Sequence, residues 1–305
     1  MALLSRFFQV GKGCIAAPIL FVNTVTVFTA MIPFALIKLL FPFSAVRRPV
    51  DRVLNFLAQS WISINGWWVA LVGCIRWEIS GLDGLKMGSW YLVSSNHQSW
   101  VDIIVLQKVF AGRIPFLKFF LKRELMYVPF MGLAWWALDF PFMRRSGGGR
   151  NFSKDLDATR QSCERFRLIP TSVINFLEGT RFTAAKHAAQ QSPYRHLLKP
   201  KVGGLAMALA VMGVQFNSYL DVTIIYPKET PSFWDLLCGR VEQIVVRVAE
   251  RAIPQHFISA DYGGDGSFRK DLQAWVQEMW AEKDAYVGEV LERGSTNKAS
   301  PSKNG

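Results

Sequence analysis

Two hydrophobic patterns divide the chain. Residues 13–37 carry no charge, are dominated by Ile, Leu, Val, Phe and Ala, and are long enough for a membrane span, which needs about 20 residues. Pro33 kinks or ends that helix. A second uncharged run, residues 53–75, is interrupted by Asn55, Gln59, Ser60, Ser63, Asn65 and Gly66. With Trp61, Trp67 and Trp68 it fits a helix lying in a membrane interface, a helix packed beside the first as a hairpin, or a buried helix of the domain that follows. The number of spans therefore stays open. From residue 75 the period shortens: residues 75–79 alternate and lead into a turn at 81–84, and residues 90–95, 171–176, 222–226 and 243–248 read as further strands. Helical patterns lie between and after them, at 151–168, 205–212 and 268–291, with a short helix or loop at 233–238. This alternation predicts an α/β domain over residues 76–293, preceded by a membrane-anchoring region at 1–75 and followed by a small, polar tail at 294–305 that reads as disordered.

Composition and charge narrow the partners. Half of the 305 residues are apolar, enough for a large core. A net charge of +12 asks for an anionic partner: nucleic acid, membrane phosphates or an anionic substrate. Eleven Trp and 23 Phe, with no nucleic-acid module in the pattern, argue against nucleic acid and for a surface of anionic membrane lipid. Behind the first apolar run Lys38, Arg47, Arg48 and Arg52 stand against Asp51, a more basic flank than Arg6 and Lys12 in front of it. The positive-inside rule then puts the downstream domain in the cytoplasm. A cleavable signal peptide is the competing reading, but the run exceeds the usual h-region of about 7–15 residues. Cys14, Cys74, Cys163 and Cys238 are scattered and form no CxxC pair, which reads as free thiols in a reducing compartment.

The candidate chemistry sits at two strand ends. After the strand at 90–95 comes Asn96-His97-Gln98-Ser99-Trp100-Val101-Asp102, where Ser99 and Asp102 have the spacing of a helix-opening capping box. His97 falls in the strand-to-helix turn, where ligands collect in open α/β sheets. Asp102 can reach back to the imidazole, fix its tautomer and stabilise the imidazolium formed when His97 takes a proton. It can equally be a plain first-turn acid, and the two roles compete for one carboxylate. The second strand end carries Leu177-Glu178-Gly179-Thr180-Arg181: a carboxylate, a hydroxyl and a guanidinium that can hold a substrate hydroxyl and an anion together, with Gly179 allowing close backbone approach, or else an ordinary turn. Arg144 and Arg145, emerging from the apolar stretch 126–143, suit an anion grip or a solvated strand end. Lys199 and Lys201 beside Gly203-Gly204 open the 205–212 helix, which favours an anion or is simply a structural turn. Residues 113–123 interleave basic and aromatic side chains, as an amphipathic helix with a solvated cationic face or as a membrane-facing surface.

Together, Asn96-His97-x4-Asp102 and Glu178-Gly179-Thr180-Arg181 resemble the glycerolipid acyltransferase family, typified by 1-acyl-glycerol-3-phosphate acyltransferases. Phe142-Met143-Arg144-Arg145 lies between them where the family has a block ending in arginine, and Lys199-Pro200-Lys201-Val202-Gly203-Gly204 where it has its fourth block. The likeness covers roughly residues 76–230 and, with the apolar N-terminus, looks closest to bacterial inner-membrane members. Leu177 departs from the proline that many members have there. The resemblance implies an α/β fold with a mixed central sheet flanked by helices, preceded by a hydrophobic membrane helix or helical hairpin. It further implies acyl transfer from acyl-CoA or acyl carrier protein to a lysophospholipid hydroxyl. His97 would be the base and Asp102 its partner. Arg145 and Arg181 would meet the acceptor phosphate, with Glu178, Gly179 and Thr180 shaping the acceptor site. No resident cofactor or metal and no nucleic acid is implied, and the enzyme would work at the cytoplasmic face of an inner membrane. Two rivals are a non-enzymatic protein that binds anionic lipid, and a phosphoester hydrolase, for which His187, His196 and His256 supply no convincing metal set.

Overall fold

The computed structural model describes residues 2–41, 43–119, 121–128, 131–140, 142–143, 169–258 and 266–299. It opens with two long helices, α1 (Ala2–Leu40) and α2 (Ser44–Val72). The α/β part follows: β1 (Arg76–Ser80), β2 (Tyr91–Ser95), α3 (Val101–Phe110), β3 (Leu117–Phe119), β4 (Leu121–Lys122), a 3-10 turn at Arg123–Tyr127, α4 (Met131–Ala137), β5 (Phe142–Met143) and β6 (Ser172–Phe176). It continues through α5 (Ala184–Gln190), α6 (Gly203–Met212), β7 (Ser218–Ile225), α7 (Phe233–Leu237), β8 (Gln243–Arg251), α8 (Gln255–Ile258) and α9 (Gly266–Ala299). The charged helix expected at 151–168, together with Arg144, Arg145 and Cys163, lies outside the described residues; Cys14, Cys74 and Cys238 are free thiols.

Six strands form one mixed sheet in the order β1-β8-β7-β2-β6-β3, parallel throughout except for β7 against β8. β2 is central and runs parallel to both neighbours, so the carboxyl ends of β6, β2 and β7 meet at one edge, where the chain passes from one half of the sheet to the other. Side-chain alternation splits the core in two. Val93, Ile174, Leu220, Val222 and Ile224 pack with α3 and α2 on one face. Leu92, Val173 and Tyr219 pack with α6 and α9 on the other.

α1 and α2 lie side by side, as the hairpin reading of residues 53–75 expects. Asn23 donates to Asn65 Oδ1 (2.9 Å) and the Trp61 indole N–H donates to Thr24 Oγ1 (3.1 Å) across the pair. From Arg6 to Leu40 α1 is long and apolar enough to cross a membrane, and most of it is exposed. The hairpin nevertheless shares the domain's core through Ala16, Trp68 and Val69. Lys38, which the sequence places in a basic flank, is instead 1% exposed and ion-paired with Asp51 (2.7 Å) and Asp139 (2.5 Å), and so ties α1, α2 and the end of α4 together.

Two further expectations change. Within 113–123, Leu117–Phe119 and Leu121–Lys122 are short strands rather than part of an amphipathic helix; β3 pairs with β6, and Lys118 is buried. At the other end, α9 runs on to Ala299, past the tail boundary drawn after Arg293, with no proline in that stretch to stop it. Residues 300–305 lie outside the described residues.

Candidate active site

The strand β2 delivers the first half of the site. Asn96 acts as a backbone mimic: its amide donates to the Ile224 carbonyl (2.8 Å) and its Oδ1 accepts the Ile224 N–H (2.9 Å). The β2–β7 ladder is thereby carried one residue past its end, and the next residue is His97. His97 Nδ1 lies 2.8 Å from Asp102 Oδ2. A carboxylate oxygen only accepts, so Nδ1 carries the proton and Nε2 is left as the basic nitrogen. The imidazole stacks on Phe176 at the end of β6, with ring centroids 4.0 Å apart and planes 13° from parallel. His97 keeps 13% of its side chain exposed, whereas Asp102 is fully buried.

Asp102 resolves the competition between its two roles by serving both. Oδ2 accepts the backbone N–H groups of Gln98 (2.6 Å) and Ser99 (2.9 Å) while facing His97, and Oδ1 accepts the Tyr226 hydroxyl (2.6 Å). Half of the expected capping box is made. The other half is not: the Asp102 N–H goes to the Ser99 carbonyl, and Ser99 Oγ accepts the Val101 N–H and donates to the Pro231 carbonyl. Tyr226 is a site residue that the sequence reading missed. Burial, followed by the charge on Asp102, pushes its hydroxyl pKa well up and keeps it a donor.

The second half of the site comes from β6. Gly179 turns the chain with φ +66° and donates its N–H to the Phe176 carbonyl (2.9 Å). The two strand ends are joined directly: Glu178 Oε1 accepts the His97 N–H (3.1 Å), and the Phe182 N–H donates to the His97 carbonyl (2.7 Å). Glu178 is fully buried, and its contacts are with backbone N–H groups, those of His97 and Leu198, rather than with the exterior. Desolvation raises its pKa to about 8 against the pull of the His97 and Leu198 N–H groups. Thr180 Oγ1 accepts from Lys186 Nζ (2.7 Å). Arg181 is exposed, and its guanidinium lies 4.8 Å from the ring centre of Trp100, itself 57% exposed and three residues beyond His97. The structure therefore brings His97, Asp102, Glu178, Gly179 and Arg181 together at one sheet edge, while Arg145 lies outside the described residues.

A partly exposed, carboxylate-oriented histidine at the carboxyl edge of a mixed sheet, with an exposed arginine nearby, is an arrangement that general-base chemistry on an anionic substrate can use. Residues 76–227, about half of the chain, match the family model described as acyltransferase, and the chain belongs to that family: it is an acyltransferase. It is 25% identical over 291 residues to the human 1-acyl-sn-glycerol-3-phosphate acyltransferase delta, covering 90% of this chain and 71% of that one. It is 26% identical over 263 residues to 1-acyl-sn-glycerol-3-phosphate acyltransferase 3 of Arabidopsis thaliana, covering 81% and 65%. Among solved structures, the 1-acyl-sn-glycerophosphate (LPA) acyltransferase PlsC of Thermotoga maritima is similar at 20% identity with a TM-score of 0.48, over 97% of this chain and all of that one.

Proposed function

We propose that this enzyme transfers a fatty acyl group from a thioester, acyl-CoA or acyl carrier protein, to the free hydroxyl of a lysophospholipid, with 1-acyl-glycerol-3-phosphate as its acceptor. The observation that carries this reading is the His97–Asp102 contact at 2.8 Å, beside an exposed Arg181. His97 takes the acceptor proton as its oxygen attacks the thioester carbonyl, Asp102 stabilises the imidazolium, and the thiol leaves with the proton returned. Transfer is direct and needs no resident cofactor. Arg181, together with Arg145 from the family's arginine block, holds the acceptor phosphate, to which a guanidinium is matched in shape and charge. Glu178 and Gly179 shape the acceptor side by fixing the turn that carries Arg181. The apolar face of α1 and α2 supports attachment to an anionic membrane, and the basic residues that follow α1 support an inner membrane with the domain on its cytoplasmic side.

Purified enzyme is tested with a panel of lysophospholipids and both donor types, with diacyl product followed by mass. His97→Ala is expected to lower acyl transfer by roughly 100- to 10,000-fold, the usual worth of a general base, with lipid association unchanged. Near-normal turnover by the variant would sink the mechanism, and a preference for acceptors without phosphate would overturn the roles of Arg145 and Arg181.

A further inference from the structure

The turn that carries Arg181 runs straight into helix α5, whose first turn breaks a local rule. Thr183 caps the helix by accepting the Lys186 N–H at Oγ1 (3.2 Å), and the residue three beyond such a cap is ordinarily Glu or Gln, which reaches back to the cap. Here it is a lysine, at the helix end where positive charge is unfavourable. Its side chain turns back past the cap: the ammonium donates to Thr180 Oγ1 (2.7 Å) and to the Arg181 carbonyl (2.9 Å). On the other side of Arg181 the Phe182 N–H is held by the His97 carbonyl (2.7 Å), and the Arg181 guanidinium lies over the Trp100 ring. Among the described residues neither Lys186 nor Arg181 forms an ion pair, so no carboxylate of the protein competes for either cation.

We propose that Lys186 is a positioning residue for Arg181: by holding the Thr180 hydroxyl and the Arg181 carbonyl, it fixes the backbone from which the guanidinium reaches the acceptor phosphate. The proposal rests on reading Arg181 as a ligand of that phosphate. A guanidinium grips phosphate through a planar fork, so its worth depends on direction as well as charge. The turn does not set that direction unaided. Gly179, two residues before Arg181, has φ +66° and the wide backbone freedom of a glycine, so bonds from outside the turn are needed to keep one shape. The ammonium supplies two, and charge-assisted hydrogen bonds are roughly twice as strong as neutral ones. Support of α5 alone accounts less well for a lysine here, because Glu or Gln would complete the cap and suit the helix end better.

Acceptor binding is measured by titration calorimetry on the detergent-solubilised full chain carrying His97→Ala, where neither donor nor turnover is needed. The probes are 1-acyl-glycerol-3-phosphate and a monoacylglycerol, which has the tail and hydroxyls without the phosphate. Lys186→Met is expected to raise Kd for the phosphorylated acceptor roughly tenfold, the order of one hydrogen bond to a charged group, and to leave monoacylglycerol binding unchanged. Thr180→Val should match it, while Lys186→Arg and Thr180→Ser, which keep donor and acceptor, should retain most of the affinity. Because both changes break one contact, the double variant Thr180→Val/Lys186→Met should bind no more weakly than the weaker single variant. In the enzyme with His97 intact, KM for the phosphorylated acceptor should rise with kcat little changed. No residue of α5 is buried, so Lys186→Met should fold; should it not, Thr180→Val removes the same contact from the other side. Losses that add in the double variant would mean that Lys186 meets the acceptor itself, and would overturn the proposal, as would an equal loss for monoacylglycerol or no loss at all. If the His97→Ala chain without further change fails to bind the phosphorylated acceptor, the acceptor reading falls first. If binding behaves as expected but turnover survives His97→Ala, the positioning role stands and the base assignment fails.

Discussion

At the scale of single residues, Asp102 concentrates the site: one buried carboxylate meets an imidazole, two backbone N–H groups and a phenol. Tyr226→Phe deletes the donor to Oδ1 and leaves a buried oxygen unsatisfied, so a loss of about 1–3 kcal/mol of stability is expected in urea unfolding. Because the imidazole keeps its Oδ2 contact, kcat should fall only about tenfold, a weaker effect than that of losing the base itself. A Tyr226→Phe enzyme as impaired as His97→Ala would mean that the phenol takes part in proton transfer. The sequence shows His97 and Asp102 because both lie in a single strand-to-helix turn. It hides Tyr226 because that contact spans 124 residues and exists only once β7 pairs with β2.

Elements built on one clear period were legible: the apolar runs at 90–95 and 171–176 became β2 and β6 to within a residue, and with them both site turns. Residues 117–122 were not, because basic and aromatic side chains alternate there over strands of only three and two residues, too short for any period to declare itself. The turn after β6 is the element with least room for change. A methyl group at Gly179 would sit 3.3 Å from Lys201 Cδ on a backbone with φ +66°. Gly179→Ala is expected to cost about 1–2 kcal/mol and to move Arg181, raising KM for phosphorylated acceptors more than it lowers kcat. Equal KM values in wild type and variant would detach the turn from acceptor binding. In the helical hairpin the decisive residue is Lys38, whose removal takes a buried cation away from Asp51 and Asp139. Lys38→Met should destabilise by about 3–5 kcal/mol, read as a fall in thermal midpoint, far beyond the median of at most about 1 kcal/mol for an exposed pair.

Over the whole molecule two forces favour a lipid surface, and they respond differently to salt. The net charge of +12 acts through a screened field, with a Debye length of about 10 Å at 0.1 M and 3 Å at 1 M. The exposed apolar side chains of the hairpin, among them Phe7, Phe8, Phe21, Leu40, Trp67 and Leu71, act by burial, which salt does not screen. Each large apolar side chain taken from water contributes roughly 1.5–3 kcal/mol, so two phenylalanines outweigh what screening can remove from a few surface charges. Co-sedimentation with anionic vesicles should therefore weaken between 0.1 and 1 M salt without being lost, and binding to zwitterionic vesicles should hardly change. Phe7→Ser/Phe8→Ser should cut both by more than tenfold while sparing turnover of detergent-dispersed substrate, because neither side chain belongs to the catalytic turn. Complete release by salt alone would make the attachment electrostatic and leave the apolar face of α1 without a membrane role.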